Sequence, residues 1–142
     1  MSGRPIVSMT RIDNFSTAHR LHNPTLPDEE NKKIYGKCNN PNGHGHNYKI
    51  EVTVRGPVDE KTGMVVNLED LKHWILQVKN QMDHKHLDKD IPYFETVVST
   101  SENVTIFIYK EIARQMPDPS LLYEVTVHET DKNVFKYRGE TG

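Results

Sequence analysis

The sequence predicts an α+β fold in which a four-stranded antiparallel sheet carries two helices on one face. Three observations lead there. Over Tyr48 to Arg55, the apolar residues Tyr48, Ile50, Val52 and Val54 interleave with Lys49, Glu51, Thr53 and Arg55, the period-2 pattern of a half-buried strand. Two later stretches repeat at helical spacing instead: Leu68, Leu71, Ile75, Val78, Met82, and then Val104, Phe107, Ile108, Ile112, Met116. The elements follow in the order strand, strand, helix, helix, strand, strand. Sheet positions facing away from the helices carry Lys49, Glu51, Arg55, Glu124, His128, Lys136 and Arg138, so that face is wetted and is not a second core. A sheet with open edges also invites pairing between copies of the chain.

Each element has its own signal. Ile6 to Ala18 reads as the first strand and brings His19 to its end. The connection from His22 to Lys37 holds a short helix: Pro27 opens it, Asp28 to Glu30 fill its first turn, lysines follow, and Gly36 closes it. Gly56 and Pro57 end the second strand, and a turn over Asp59 to Gly63 follows. Asn67, with Asp70 three residues on, marks the start of the first long helix, beside whose stripe lies Trp74. Ser99 and Glu102 have capping-box spacing for the second, which Pro117 and Pro119 stop. Leu121, Tyr123, Val125, Val127 and Glu129 share one face of the third strand, and a turn over Thr130 to Asn133 leads into the fourth, Val134 to Arg138.

Residues 1–142 read as one domain, with no linker and no internal repeat. A formal charge of −2 without a basic aromatic patch argues against nucleic acid as a partner. No apolar run approaches a membrane span, the N-terminus has no signal core, and a lone cysteine fits a reducing compartment, so the cytoplasm is the expected address.

The densest chemistry lies in Cys38 to Tyr48. In an extended segment His44 and His46 project to the same side, and Gly45 between them adds no side chain to crowd an ion. Two imidazoles start a transition-metal site, zinc first, and a third ligand must come from elsewhere. His19 stands at a strand end; His22, His84 and His86 compete with it on spacing alone. Cys38 is open between a fourth ligand, a nucleophile or base, and a small buried hydrophobe. Asp83 and His84 are a carboxylate–imidazole relay or a charged helix terminus. Glu129 puts a carboxylate where the third strand's pattern asks for a core side chain, either to accept a ligand's N–H groups or to reach solvent at the strand end.

These residues together resemble the 6-pyruvoyl tetrahydropterin synthase family, eukaryotic type, from about Arg11 to Glu140. The carrying motifs are His19-Arg20-Leu21, the run Gly36 to Tyr48, Asp83-His84-Lys85 with Leu87, Val98-Ser99-Thr100 with Glu102-Asn103-Val104, and Glu129-Thr130-Asp131. The resemblance implies a tunnelling fold, in which three subunits join their sheets into a barrel and two trimers stack into a homohexamer. It implies zinc on His19, His44 and His46, Cys38 as general base, and Asp83 and His84 completing a relay with it. It implies Glu129 as anchor of the pterin ring, helped by Thr100, Ser101 and Glu102, at sites between subunits. The expected enzyme is a lyase that converts 7,8-dihydroneopterin triphosphate to 6-pyruvoyl-tetrahydropterin and triphosphate, with Mg²⁺ required, in tetrahydrobiopterin biosynthesis. Ser101 is a mild departure that keeps a hydroxyl, and Arg20, Lys37 and Lys85 are the basic candidates for the triphosphate.

Two rivals remain at this level. The related 6-carboxy-tetrahydropterin synthases share fold, zinc and substrate, but their cysteine usually lies closer to the H-G-H motif than Cys38 lies to His44. A non-enzymatic zinc-binding module would close the shell with Cys38 and leave Asp83, His84 and Glu129 without a purpose.

Overall fold

A computed structural model describes residues 3–142. Its sheet has five strands in the order β3-β1-β2-β4-β5, from β1 (Ile6–His19), β2 (His44–Pro57), β3 (Lys85–His86), β4 (Leu122–His128) and β5 (Val134–Tyr137). Four of these strands are those expected, and all their pairings are antiparallel. The fifth is β3, two residues that pair parallel to Thr17 and Ala18 of β1. So short a strand has no periodicity to read.

Helices α1 (Asp28–Tyr35), α2 (Leu68–Met82), the single-turn α3 (Leu87–Asp90) and α4 (Ser101–Gln115) complete the chain. Among the described residues, no helix is long and apolar enough to cross a membrane. Both long helices pack on one face of the sheet. Leu71, Ile75, Val78 and Met82 of α2, with Val104, Phe107, Ile108 and Ile112 of α4, close over Tyr48, Ile50, Val52 and Val54. Removing this apolar surface from water is the main driving term for the layering. Leu68 lies outside that core, 41% exposed at the first turn of α2.

The caps divide the expectation. Asn67 does cap α2, accepting from the Glu69 amide. The cap of α4 is Thr100, which accepts from the Asn103 amide, one residue later than the Ser99 expected. A second shift occurs in β4, where the register slips against Thr53 and Val54. That bulge puts Leu122 into the core and sends Tyr123 out beneath the guanidinium groups of Arg55 and Arg138. Val125 and Val127 keep the core face expected of them.

The opposite sheet face is charged and hydrogen-bonded, as predicted. His128 pairs with Glu51, and Arg138 Nε donates to Glu124 at 2.8 Å. Among the described residues the outer edge of β1 has one strand partner, β3 at Thr17 and Ala18, and Ile6 and Ile12 are more than half exposed.

Candidate active site

The register between β1 and β2 assembles the histidines. His19 lies directly across from His44, and Thr17 across from His46. Alternation then puts His19, His44 and His46 on the helix-covered face, in line with Tyr48 and Ile50. Gly45 points the other way; a Cβ there would meet the Thr17 carbonyl and not an ion, so it is not what leaves the ion room. Gly43 is the glycine the turn requires. Its φ is +76°, and a Cβ would come within 3.0 Å of the His19 carbonyl oxygen.

The three imidazoles each offer a nitrogen, and these nitrogens all lie within 4.8 Å of one another. His19 Nε2 is 3.1 Å from His44 Nε2. Two nitrogens bound to one tetrahedral ion at about 2.0–2.1 Å lie roughly 3.3 Å apart, so the spacing suits a shared ion. His19 is buried, and its Nδ1 donates to the Ser99 carbonyl at 2.7 Å. That bond fixes the tautomer and leaves Nε2 with a lone pair aimed at the cluster. Burial, reinforced by the neighbouring imidazoles, holds His19 below the usual histidine range. Burial does the same to His46, partly offset by the Glu129 carboxylate. Neutral rings are the ligating form. The cluster can hold a divalent metal ion.

The other candidates separate cleanly. His22 Nδ1 contacts the Asn39 amide at 3.0 Å, His84 bonds Asp83, and His86 lies 4.0 Å from Asp88, so none of the three joins the cluster. Cys38 is outside it too. That thiol sits in a 3₁₀ turn over Gly36–Asn39, fastened to the end of β1 where the Leu21 amide donates to the Cys38 carbonyl at 3.0 Å. Asn39 beside it is buried and bonds the Leu21 carbonyl, while Arg20 Nε donates to the Asn39 carbonyl at 2.9 Å. Arg20 therefore braces this loop.

Asp83 and His84 do meet. Asp83 Oδ2 is 3.1 Å from His84 Nδ1, and Oδ1 accepts from the Ser16 amide at 2.9 Å. That backbone bond holds the Asp83 carboxyl below the usual carboxylate range, with His84 and Lys79 adding to it. The segment is stitched to β1 by two further bonds, His84 N–H to the Ser16 carbonyl and Thr17 hydroxyl to the Lys85 carbonyl. His84 adopts φ 61°, an uncommon left-handed conformation for a side chain of its size. Within the chain, among the described residues, no hydrogen bond links Cys38 to Asp83 or His84.

Glu129 continues the core face of β4, and the Ser101 hydroxyl donates to its Oε2. Ser101 is buried at the first turn of α4, Thr100 is spent as the cap, and Glu102 faces solvent. Sequence reasoning passed over Ser16 and gave Ser99 only a capping role; their main-chain groups orient Asp83 and His19, and main-chain roles leave no mark in the residue type. It also took Tyr48 for a core residue only. Burial pushes the Tyr48 phenol well above its ordinary range, with the nearby Ser101 hydroxyl opposing.

Known proteins supply independent comparisons. The sequence model of the 6-pyruvoyl tetrahydropterin synthase family matches residues 8–140. A 6-pyruvoyl tetrahydrobiopterin synthase of Poecilia reticulata is 58% identical, the match covering 98% of this chain and 97% of that protein. The protein of the same name from Drosophila melanogaster is 52% identical over 98% of this chain and 83% of its own. The solved structure of Caenorhabditis elegans 6-pyruvoyl tetrahydropterin synthase superposes with a TM-score of 0.94 at 52% identity, over 96% of this chain and 98% of that one. The trio of imidazoles at the end of β1 and start of β2 therefore sits in a chain that belongs to the 6-pyruvoyl tetrahydropterin synthase family.

Proposed function

We propose that this protein is a zinc-dependent 6-pyruvoyltetrahydropterin synthase, converting 7,8-dihydroneopterin triphosphate to 6-pyruvoyl-tetrahydropterin and triphosphate for tetrahydrobiopterin synthesis. The observation that carries this reading is the three-imidazole cluster on the same sheet face as the Glu129 carboxylate. Glu129 accepts the N–H and NH₂ edge of the pterin, with Ser101, Thr100 and Glu102 around the ring. Strand geometry puts His46 and Tyr48, the residue opposite Glu129, about 7 Å apart along β2. That separation suits a two-ring heterocycle whose short side chain reaches the metal.

His19, His44 and His46 would hold zinc, which would supply Lewis acidity toward the substrate's side-chain oxygens. The chain's own residues move the protons. The Cys38 thiolate takes hydrogens from the side-chain carbons as protons, and the Asp83–His84 pair sets its charge state. In the overall balance two carbinols become ketones. One electron pair reduces the ring imine, and the other is accounted for by departure of triphosphate from the terminal carbon, which becomes a methyl group. No nicotinamide is needed. Mg²⁺ accompanies the triphosphate as its counter-ion.

Since, among the described residues, Cys38 has no hydrogen bond to Asp83 or His84 within one chain, the relay is completed between copies. Three copies join their sheets through the open edges of β1 and β5 into a barrel, and two trimers stack into a homohexamer. The half-exposed Ile6 and Ile12 on the β1 edge support that pairing. The cytoplasm, which keeps a lone thiol reduced, is the proposed site of action.

The test is direct. Zinc-replete protein, dihydroneopterin triphosphate and Mg²⁺, without nicotinamide, should yield 6-pyruvoyl-tetrahydropterin by mass. A carboxylated pterin would make the protein a 6-carboxy-tetrahydropterin synthase. No product from a zinc-loaded assembly would leave a zinc-binding module.

A further inference from the structure

Two buried hydroxyls near the site, on Tyr48 and Ser99, have no protein hydrogen-bond partner among the described residues. Ser99 already serves His19 through its carbonyl. Tyr48 has no such second duty. It stands on a face otherwise built of Ile50, Val52 and Val54, and its ring stacks on Phe15 with centroids 5.4 Å apart. Phenylalanine would fill that volume and stack equally well. The hydroxyl is an addition that packing does not require, and a buried unpaired hydroxyl is destabilising.

Strand register says what it faces. Ile50 pairs with Val127 and Lys49 with His128, so one further step puts Tyr48 opposite Glu129. Directly opposed residues on one sheet face are close neighbours. Phe15 pairs with Tyr48 across β1 and β2, Glu129 follows directly on the end of β4, and the His46 ring is 5.5 Å from that of Tyr48. The polar neighbour of the phenol is Ser101, although no hydrogen bond of normal geometry joins the two. Ser101 gives its only hydroxyl proton to Glu129 and keeps an oxygen able to accept.

We propose that Tyr48 is a positioning residue. Its hydroxyl closes onto Ser101 and, through the Ser101–Glu129 bond, holds Glu129 Oε2 so that Oε1 is presented to the N–H edge of the pterin. A chain of donors ending on a carboxylate is cooperative, so completing it strengthens the Ser101–Glu129 bond as well. The inference rests on the reading of Glu129 as the pterin anchor.

Tyr48→Phe tests it, because volume and stacking are kept and only the oxygen is lost. The readouts are the Kd for 7,8-dihydroneopterin, KM and kcat with the triphosphate, zinc content and Tm. The expected result is a five- to tenfold weaker Kd, a loss that falls on KM and not kcat, full zinc and an undiminished Tm. Ser101→Ala should weaken binding similarly, and the double variant should be little worse than either single one, since both interrupt one chain. Wild-type affinity in Tyr48→Phe, or losses that multiply in the double variant, would overturn the proposal. The anchoring reading fails separately: Glu129→Ala that binds 7,8-dihydroneopterin like wild type removes it and this inference together. Weak binding in Glu129→Ala beside wild-type binding in Tyr48→Phe removes this inference alone.

Discussion

The face of the sheet that carries the three histidines and Glu129 differs in kind from the pair of regions that carry Cys38 and Asp83–His84. On the first, every partner lies within one chain: His19 is oriented by Ser99, His44 by register against His19, and Glu129 by Ser101. In the second, the parts are built separately. The Cys38 turn is fastened to Leu21, and Asp83 and His84 are fastened to Ser16, with no hydrogen bond between the two groups among the described residues. On the proposed reading, metal and pterin binding would draw on groups of one copy, whereas proton transfer between Cys38 and the Asp83–His84 pair would depend on assembly.

The largest effect should follow from attacking the preassembled half. His44→Ala should lose stoichiometric zinc and all measurable turnover, because two imidazoles cannot form a site that needs three protein ligands and an open position. Metal analysis of the purified variant checks it; full zinc would mean that His44 only lines the site. Cys38→Ala should come next, with turnover lower by about 10²–10⁴ and zinc retained, as expected for loss of an acid–base group. Zinc loss in that variant would instead make the thiol a ligand and erase the contrast between the two halves.

A mixing experiment sharpens the contrast. Cys38→Ala and His84→Ala should each be nearly inactive alone. Co-assembled from a mixed unfolded pool, they should regain about a quarter of wild-type activity, since random pairing restores that share of sites when thiol and imidazole come from different copies. No recovery would put the relay inside one chain.

The same division explains what could be read from the sequence. The H-G-H motif was legible because strand periodicity alone puts His44 and His46 on one side, and the helical stripes were legible because Leu71, Ile75, Ile108 and Ile112 repeat at the right interval. His19 could not be separated from His22, His84 and His86 by spacing, since only the cross-strand register makes it the partner of His44. Glu129 was legible as an anomaly, a carboxylate on a core face. The β4 bulge was not, because Leu121, Leu122 and Tyr123 are all apolar enough to fit either register. Nor was β3, whose two residues are held by Thr17 and Ala18 and not by any preference of their own.

The smallest effect concerns two adjacent hydroxyls whose roles a capping-box reading exchanges. Thr100 Oγ1 accepts the Asn103 amide, so Thr100→Ala removes a cap and should cost about 1 kcal/mol, a few degrees in Tm. Ser99 is fully buried and serves His19 through its carbonyl, which alanine keeps, while its hydroxyl has no partner among the described residues. Ser99→Ala should therefore leave zinc content unchanged and Tm equal or slightly higher, because an unpaired buried hydroxyl is lost at little change in volume. Thermal melts and metal analysis of the two variants distinguish the assignments. A larger drop in Ser99→Ala than in Thr100→Ala would make Ser99 the cap, against the Thr100–Asn103 bond.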